Sequence, residues 1–348
     1  MSIKEIAKKA GTSPATVSRV LNNPDYKCAN PGLRKKIIDA AIELHYVPNE
    51  AARKLKKGEG QDIRRIYRIS VLVTRIDKSD DDPFFRELLR AVESEIHNSN
   101  CIINRVWYNS IFSSESDKVR KRLASVVEKL VSDVGDENDG IVIIGKCSLE
   151  AIRLLKKNFK HIVSVNRNST NYEVDEVLCD GEKIASKAVK YLISIGHKKI
   201  GYVGSCKGEA RYHGYCASLG EVGIDIYPEY VIDVSQSENE GYKALEAFSG
   251  LEDPPTGIYC ANDIMAIGAL KYISAKRFGE YAPSIISSDD IEAGQFTDPM
   301  LTTVNLPKET MAKFAVYLLI DHIKGGHSRE VRLELEGKLV VRNSCTEI

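Results

Sequence analysis

Apolar positions at the start of the chain repeat with the period of a helix. Ile3, Ile6, Ala7 and Ala10 fall at i, i+3, i+4 and i+7, which is one buried face of a short helix. Gly11 breaks it. Ser13 is a good N-cap and Pro14 suits a first helical position, so a second helix starts there and runs through Thr16 to Leu21. Val17, Val20 and Leu21 turn towards the first helix, leaving Ala15, Thr16, Ser18 and Arg19 outward. A short helix, a tight turn and a second helix with a small-residue, arginine-bearing outer face suit the major groove of DNA. Periodicity alone also accommodates a plain pair of packed surface helices.

After Leu55 the stretch Lys56-Lys57-Gly58-Glu59-Gly60-Gln61-Asp62 is polar and reads as a linker. The pattern then switches to apolar runs alternating with amphipathic segments. Strands are predicted at Ile69–Val73, Ile102–Trp107, Gly140–Ile144, Ile162–Val165 and Ile200–Val203, then near Val231, Ile258 and Ile285, with a last one over Lys338–Val341. Helices are predicted over Phe84–Ile96, Asp117–Val134, Leu149–Lys156, Ile184–Ile195, Tyr212–Leu219, Gly241–Phe248 and Ile264–Ser274. Sustained βα alternation of this kind means parallel sheets covered on both faces. The roughly 280 residues involved exceed one comfortable sheet and predict two lobes.

Charge sharpens the division. The net charge of the 348 residues is zero, but residues 1 to 60 hold twelve Lys/Arg against six Asp/Glu, a balance of +6, so the remainder sums to −6. A basic head on an acidic body favours a localised polyanion site. The eight cysteines are scattered, with no Cys-x-x-Cys pair and no zinc-ligand spacing, and read as reduced core thiols with no metal or other cofactor. Met-Ser-Ile-Lys-Glu carries no apolar leader, and no apolar stretch approaches the ~20 residues that span a bilayer, so the cytoplasm is expected.

The order of residues adds more than their periodicity. The run from Ile3 to Asn23, with Arg34, His45-Tyr46-Val47-Pro48-Asn49 and Ala51-Ala52-Arg53-Lys54-Leu55, closely resembles the headpiece of the lactose-repressor/galactose-repressor (LacI/GalR) family. Pro31-Gly32-Leu33 departs from it, standing where the family has acidic residues and a phosphate-contacting Thr. The resemblance implies an all-α helix-turn-helix headpiece over 1–48, a hinge helix and linker over 49–66, and an α/β body over 67–348. That body would hold two doubly wound parallel-sheet lobes, like a periplasmic sugar-binding protein, crossed three times by the chain. The crossovers are placed near Asn166–Leu178, Val304–Lys308 and Leu333–Glu336. This gives a first lobe of about 67–170 and 308–333 and a second of about 171–307 and 334–348.

Site residues follow from the same resemblance. Arg19 can donate a bidentate pair to guanine O6 and N7. Pro14 and Ala15 occupy operator-discriminating positions but can read only by shape and methyl contact. Ser13, Thr16 and Asn22 are assigned to phosphates, with Lys4, Arg34 and Lys35 adding sequence-independent attraction. Asn49, Arg53 and Leu55 belong to the hinge, where a Leu pair from two subunits wedges into the minor groove. A helix of about eight residues is unstable alone, so it should form only on DNA.

In the body, the matches mark Phe84, Phe85, Asn166, Arg211, Gln236, Asn262 and Asp289 as effector contacts. Phe85 fits equally well as core. Arg211 and Asp289 would grip hydroxyls and Phe84/Phe85 would face C–H groups, which suits a mono- or oligosaccharide or a sugar phosphate. Asn166 and Gln236 depart from the common Asp and aromatic of the family. The expected protein is a ligand-switched regulator that binds a palindromic operator as a homodimer, since no C-terminal heptad segment offers a tetramer bundle. A solute-binding transport protein would share the body but not the headpiece. An α/β enzyme is disfavoured because Gly201-Tyr202-Val203-Gly204 is neither a dinucleotide fingerprint nor a P-loop and no nucleophile–base set is apparent.

Overall fold

The computed structural model describes residues 3–22, 26, 31–44, 65–78, 82–114, 116–135, 137–276 and 281–348. These form two compact units, residues 1–65 and 66–348.

In the first unit, α1 (Ile3–Ala10), α2 (Pro14–Asn22) and α3 (Pro31–Glu43) enclose a small core of Ile6, Ala7, Ala10, Val17, Val20, Ile37, Ala40 and Ala41. Gly11, at φ +65°, supplies the left-handed turn that a β-carbon would oppose. Ser13 Oγ accepts from the backbone N–H of Thr16 at 3.1 Å, the predicted cap. Ser13, Pro14, Ala15 and Arg19 are exposed and Thr16 is half-buried. Arg34 donates to the Tyr26 carbonyl at 3.0 Å, so this side chain also has a partner within the unit. The hinge residues Asn49, Arg53 and Leu55 lie outside the described residues, as does the side chain of Asn22.

The second unit contains two six-stranded sheets. The first comprises β1 (Arg68–Val73), β2 (Ile102–Tyr108), β3 (Gly140–Ile144), β4 (Ile162–Asn166), β5 (Asp175–Leu178) and β11 (Arg332–Glu334), in the order β11-β5-β4-β3-β1-β2. The second comprises β6 (Ile200–Gly204), β7 (Val231–Asp233), β8 (Gly257–Cys260), β9 (Ser284–Asp289), β10 (Thr302–Asn305) and β12 (Lys338–Val340), in the order β12-β10-β9-β8-β6-β7. Central strands such as β3 and β8 are buried along their whole length, as parallel strands covered on both faces must be. Among the described residues the one antiparallel pairing, β10 with β12, closes the edge of the second sheet.

Helices α4 (Pro83–Asn98), α5 (Asp117–Val134), α6 (Leu149–Lys156) and α11 (Lys308–Ile323) pack on the first sheet. The helices of the second lobe are α7 (Gly181–Ser194), α8 (Ala210–Glu221), α9 (Glu238–Ser249) and α10 (Asp263–Ala275). The chain passes between the sheets three times. The second and third passages fall at 306–307 and 335–337. The first falls later than the sequence motifs place it. Residues 175–178 form β5 of the first sheet, so the crossover falls at 179–180 and the first lobe extends past residue 170. Asp-Glu-Val-Leu hid the strand, since two acidic residues mask its apolar alternation; both are buried because other groups bind them.

Helices α9 and α10 touch through glycine. A β-carbon on Gly268 would run into the Glu238 carbonyl, and one on Gly241 into that of Met265. Gly268→Ala should therefore lower stability by about 1–3 kcal/mol through overpacking, despite alanine's better helix propensity. Urea denaturation of the full chain measures this. An unchanged or raised midpoint would mean that the helices separate freely.

Candidate functional site

Both sheets run in the order 2-1-3-4-5 before their last strand is added, and in such folds ligands collect beyond the carboxyl ends of the strands. That is where charge gathers here. Arg75 follows β1, Lys146 follows β3 and Arg167 follows β4; from the second lobe come Glu209 after β6, Gln236 after β7, Asn262 after β8 and Asp289 at the end of β9. Between them lies a cavity of about 710 Å³, with Arg75, Asp82, Phe85 and Lys146 on one wall and Ser205, Lys207, Glu209 and Gln236 on the other. A void of about 10 Å³ shares Arg75, Phe85 and Lys146 and adds Phe84, Asn166 and Arg167.

Ion pairs and hydrogen bonds cross from lobe to lobe. Arg167 pairs with Asp289, both buried. Arg75 Nη1 donates to Glu209 Oε2 at 3.2 Å, while Arg211 Nε donates to Glu209 Oε1 at 2.9 Å. One carboxylate thus holds a guanidinium from each lobe. Gln236 repeats the arrangement. With its amide oxygen turned towards them, it accepts from Arg211 Nη2 at 2.6 Å and from Arg75 Nη2 at 3.1 Å. Lys146 Nζ donates to the Gly208 carbonyl at 2.8 Å, and the Ala210 N–H donates to Asn168 Oδ1 at 3.0 Å. Lys308 Nζ lies 3.2 Å from Glu87 Oε2 and donates to the Asp289 carbonyl at 2.9 Å.

The predicted residues take distinct places. Phe84 and Phe85 are both buried and meet edge to face at 5.3 Å, and the Arg167 guanidinium sits 4.4 Å from the Phe84 ring centroid. Phe85 also forms part of the cavity wall. Asn166 is occupied locally, donating to the Asn168 carbonyl at 2.7 Å and accepting from the Arg167 N–H at 2.7 Å. Arg211 is fully buried and, besides Glu209 and Gln236, donates to the Ala261 carbonyl at 2.5 Å. Asn262 caps α10 through Met265 N at 3.2 Å, and its buried Nδ2 has no hydrogen-bond partner among the described residues. Of the seven, Phe85 and Gln236 line the large cavity. Arg211 and Asp289 stand behind its surface, each already ion-paired.

Sequence reasoning missed Arg75, Arg167, Glu209, Asp82 and Lys308. A usable signal existed, because each is a charged residue next to the end of a strand or the start of a helix. Asp82 caps α4 by accepting from Phe84 N at 2.9 Å, with Pro83 in the first helical position. Asp263 accepts from Ser287, Thr303 and Ile291 N, tying β9 and β10 to the start of α10.

Protonation follows the packing. Burial and the neighbouring Asp289 push the Asp82 carboxyl up to about 6, against the pull of Arg167. Burial and Asp289 likewise push Asp263 to about 7. Burial would raise Glu209 too, but Arg211 and Arg75 override it and hold the carboxyl far below the usual range. Burial opposes the Arg211 charge, but Glu209 raises that group overall. Burial lowers Arg75, with Arg211 and Arg167 adding to the effect and Glu209 opposing it.

Comparison with known proteins places these features. Residues 2–49 match the model for bacterial regulatory proteins of the lacI family, and residues 189–345 match a periplasmic binding protein-like domain. The HTH-type transcriptional repressor CytR of Escherichia coli K12 is 30% identical over 351 residues, covering 99% of this chain and 96% of that protein. The repressor PurR of Mannheimia succiniciproducens is 29% identical over 359 residues, covering 100% and 99%. Among solved structures, the transcriptional regulator CelR–cellobiose complex superposes with a TM-score of 0.68 at 23% identity, covering 99% of each chain.

Asp82 gives a pH test. Its folded value lies above the ordinary 3.8, so between about pH 4 and 6 the native state holds the extra proton and stability falls as pH rises. Asp82→Asn keeps a good cap but removes this titration. The variant's stability relative to wild type should rise from pH 4 to pH 7 by on the order of 1–3 kcal/mol. Thermal melts across that range check it; a constant difference would show that Asp82 is not held up.

Proposed function

This chain belongs to the LacI family of bacterial regulatory proteins, and from that premise we propose that it represses a carbohydrate-utilisation operon, bound to a palindromic operator as a homodimer and switched by a sugar-like effector in the inter-lobe cleft. The coarse function is that of a DNA-binding transcriptional repressor, not an enzyme. No helix among the described residues is long and apolar enough to cross a membrane, and the cytoplasm is the compartment proposed.

The observation that supports the switch is the cavity of about 710 Å³ whose two walls are joined by Arg75–Glu209. Ser113, Ser205, Ser235 and Ser237 supply hydroxyls and Gln236 an amide around it, and Phe85 supplies an apolar patch. This lining suits a polyhydroxylated ligand of mono- or oligosaccharide type. Arg75, Lys146 and Lys207 against Asp82 and Glu209 leave one net positive charge, so a sugar phosphate fits as well. The ligand acts by exchanging its own hydrogen bonds for those that now cross the cleft. It can shift the lobes only as far as its affinity differs between their two arrangements. Arg211 and Asp289 grip it once their present partners rearrange. A thermal-shift screen against sugars and sugar phosphates identifies it, since a ligand at 100 times its dissociation constant adds about 2.7 kcal/mol.

In the headpiece, exposed Arg19 reads guanine, Pro14 and Ala15 read shape, and Ser13, Thr16 and Asn22 hold phosphates. Asn49, Arg53 and Leu55 form the hinge contact on DNA, with paired Leu55 side chains as the wedge. Arg19→Ala should weaken operator binding by about 1–3 kcal/mol and flatten the preference at one base pair per half-site. Fluorescence anisotropy on operator variants measures both. Equal loss on every sequence would reduce Arg19 to a phosphate contact.

A further inference from the structure

The cleft does not use the cluster at the opposite end of the first lobe. Asp175 opens β5, at the sheet end opposite the one that carries Arg75, Lys146 and Arg167. There α11 ends. Gly325, at φ +73°, and Gly326 donate back to the carbonyls of His322 and Asp321 and turn the chain sharply. A side chain at Gly326 would collide with the Asp321 carboxylate, so the turn closes tightly on the helix end. The turn returns His327 to the same carboxylate that His322 reaches from the helix. His322 Nδ1 and His327 Nε2 each lie 3.0 Å from Asp175 Oδ2.

We propose that Asp175, His322 and His327 form a binding site for a divalent transition-metal ion of the Zn²⁺ class. The three ligand atoms all lie within 4.8 Å of one another. A tetrahedral ion with bonds of about 2.0–2.1 Å sets its ligand atoms about 3.3 Å apart, so binding opens the two 3.0 Å contacts slightly and brings the two imidazole nitrogens, within 4.8 Å of one another, to that spacing. Two imidazoles and a carboxylate are the donor set for zinc, nickel or copper and a poor one for Mg²⁺ or Ca²⁺, which prefer all-oxygen shells.

The outer contacts are those of a held ligand set. Asp175 Oδ1 accepts from Val331 N at 2.8 Å, which fixes the carboxylate and leaves Oδ2 for the ion. His327 Nδ1 faces Asp321 Oδ2 at 2.6 Å, the carboxylate–histidine pairing that orients a metal-bound imidazole. Beside them His161 meets the His322 ring edge-on at 4.8 Å, and its buried Nδ1 has no hydrogen-bond partner among the described residues. His322 and His327 are partly exposed, so an ion has a path in, and a fourth position remains for water.

Full-length protein stripped with a chelator and titrated with Co²⁺ reads the site directly. One Co²⁺ per chain should bind saturably, with visible d–d absorption, no thiolate charge-transfer band, and displacement by Zn²⁺. His327→Gln, in the partly exposed turn, should weaken binding at least tenfold, and Asp321→Asn by about 10–100-fold through the lost outer contact. Circular dichroism and melts of the metal-free variants confirm that they are folded. Absence of saturable 1:1 binding overturns the proposal. So does wild-type affinity in folded His327→Gln, or a thiolate band, which would place the ion on cysteines.

Discussion

The body is organised around one buried charge pair, Arg167 with Asp289, whose partners sit at strand ends of different lobes. Taking either ion out of water costs several kcal/mol, which the partner across the cleft helps to offset, alongside Asp82 and the Phe84 ring next to Arg167. The lobes therefore cannot part without rehydrating both groups or giving each a new partner. Closure and charge neutralisation are one event. Glu209 extends the logic by holding Arg75 of one lobe and Arg211 of the other. Arginines crowded in one cleft repel each other, and the two carboxylates make the closed form tolerable. An effector with acceptors for these guanidiniums competes for the same bonds, which makes the cleft a two-state element.

Backbone conformation bears the same mark. Arg75, Asp289 and Asp290 adopt positive φ values of 88°, 130° and 49° without being glycine. Such conformations cost on the order of 1–3 kcal/mol each and persist where surrounding bonds impose them. Here Arg75 is held by Glu209, Asp289 by Arg167, and Asp290 by Arg342 and Asn305. Asn100, Asn171 and Tyr172 share positive φ away from the cavity, so three of the six such residues among those described bridge or border the cleft.

Most of the architecture was legible because it rests on periodicity. Gly140–Ile144 and Leu149–Lys156 appear with the predicted bounds, and Ser13 caps α2 as its residue type implies. Legibility failed where tertiary partners overrule composition. Asp175 and Glu176 look like loop residues, yet they open a buried strand because His322, His327, Val331 and Thr170 bind their carboxylates. The cleft was half legible. Motif matching singled out Arg211 and Asp289, which the structure places behind the cavity wall, but not Arg75, Arg167 or Glu209, because an ion pair between residues 122 or 134 positions apart leaves no local pattern. The clustered histidines were missed for the same reason, since their common partner lies some 150 positions earlier.

The most direct test of this account is the distance between the two lobes of the body, measured with one spin label on each by pulsed electron resonance, in wild type and in Asp289→Asn. If the Arg167–Asp289 pair holds the lobes together, the wild-type protein without ligand should give a narrow, short distribution. The Asn variant, which leaves Arg167 buried without its counter-charge, should give a longer and broader one. Identical distributions would contradict the account and place lobe closure elsewhere than in the charges that cross the cleft.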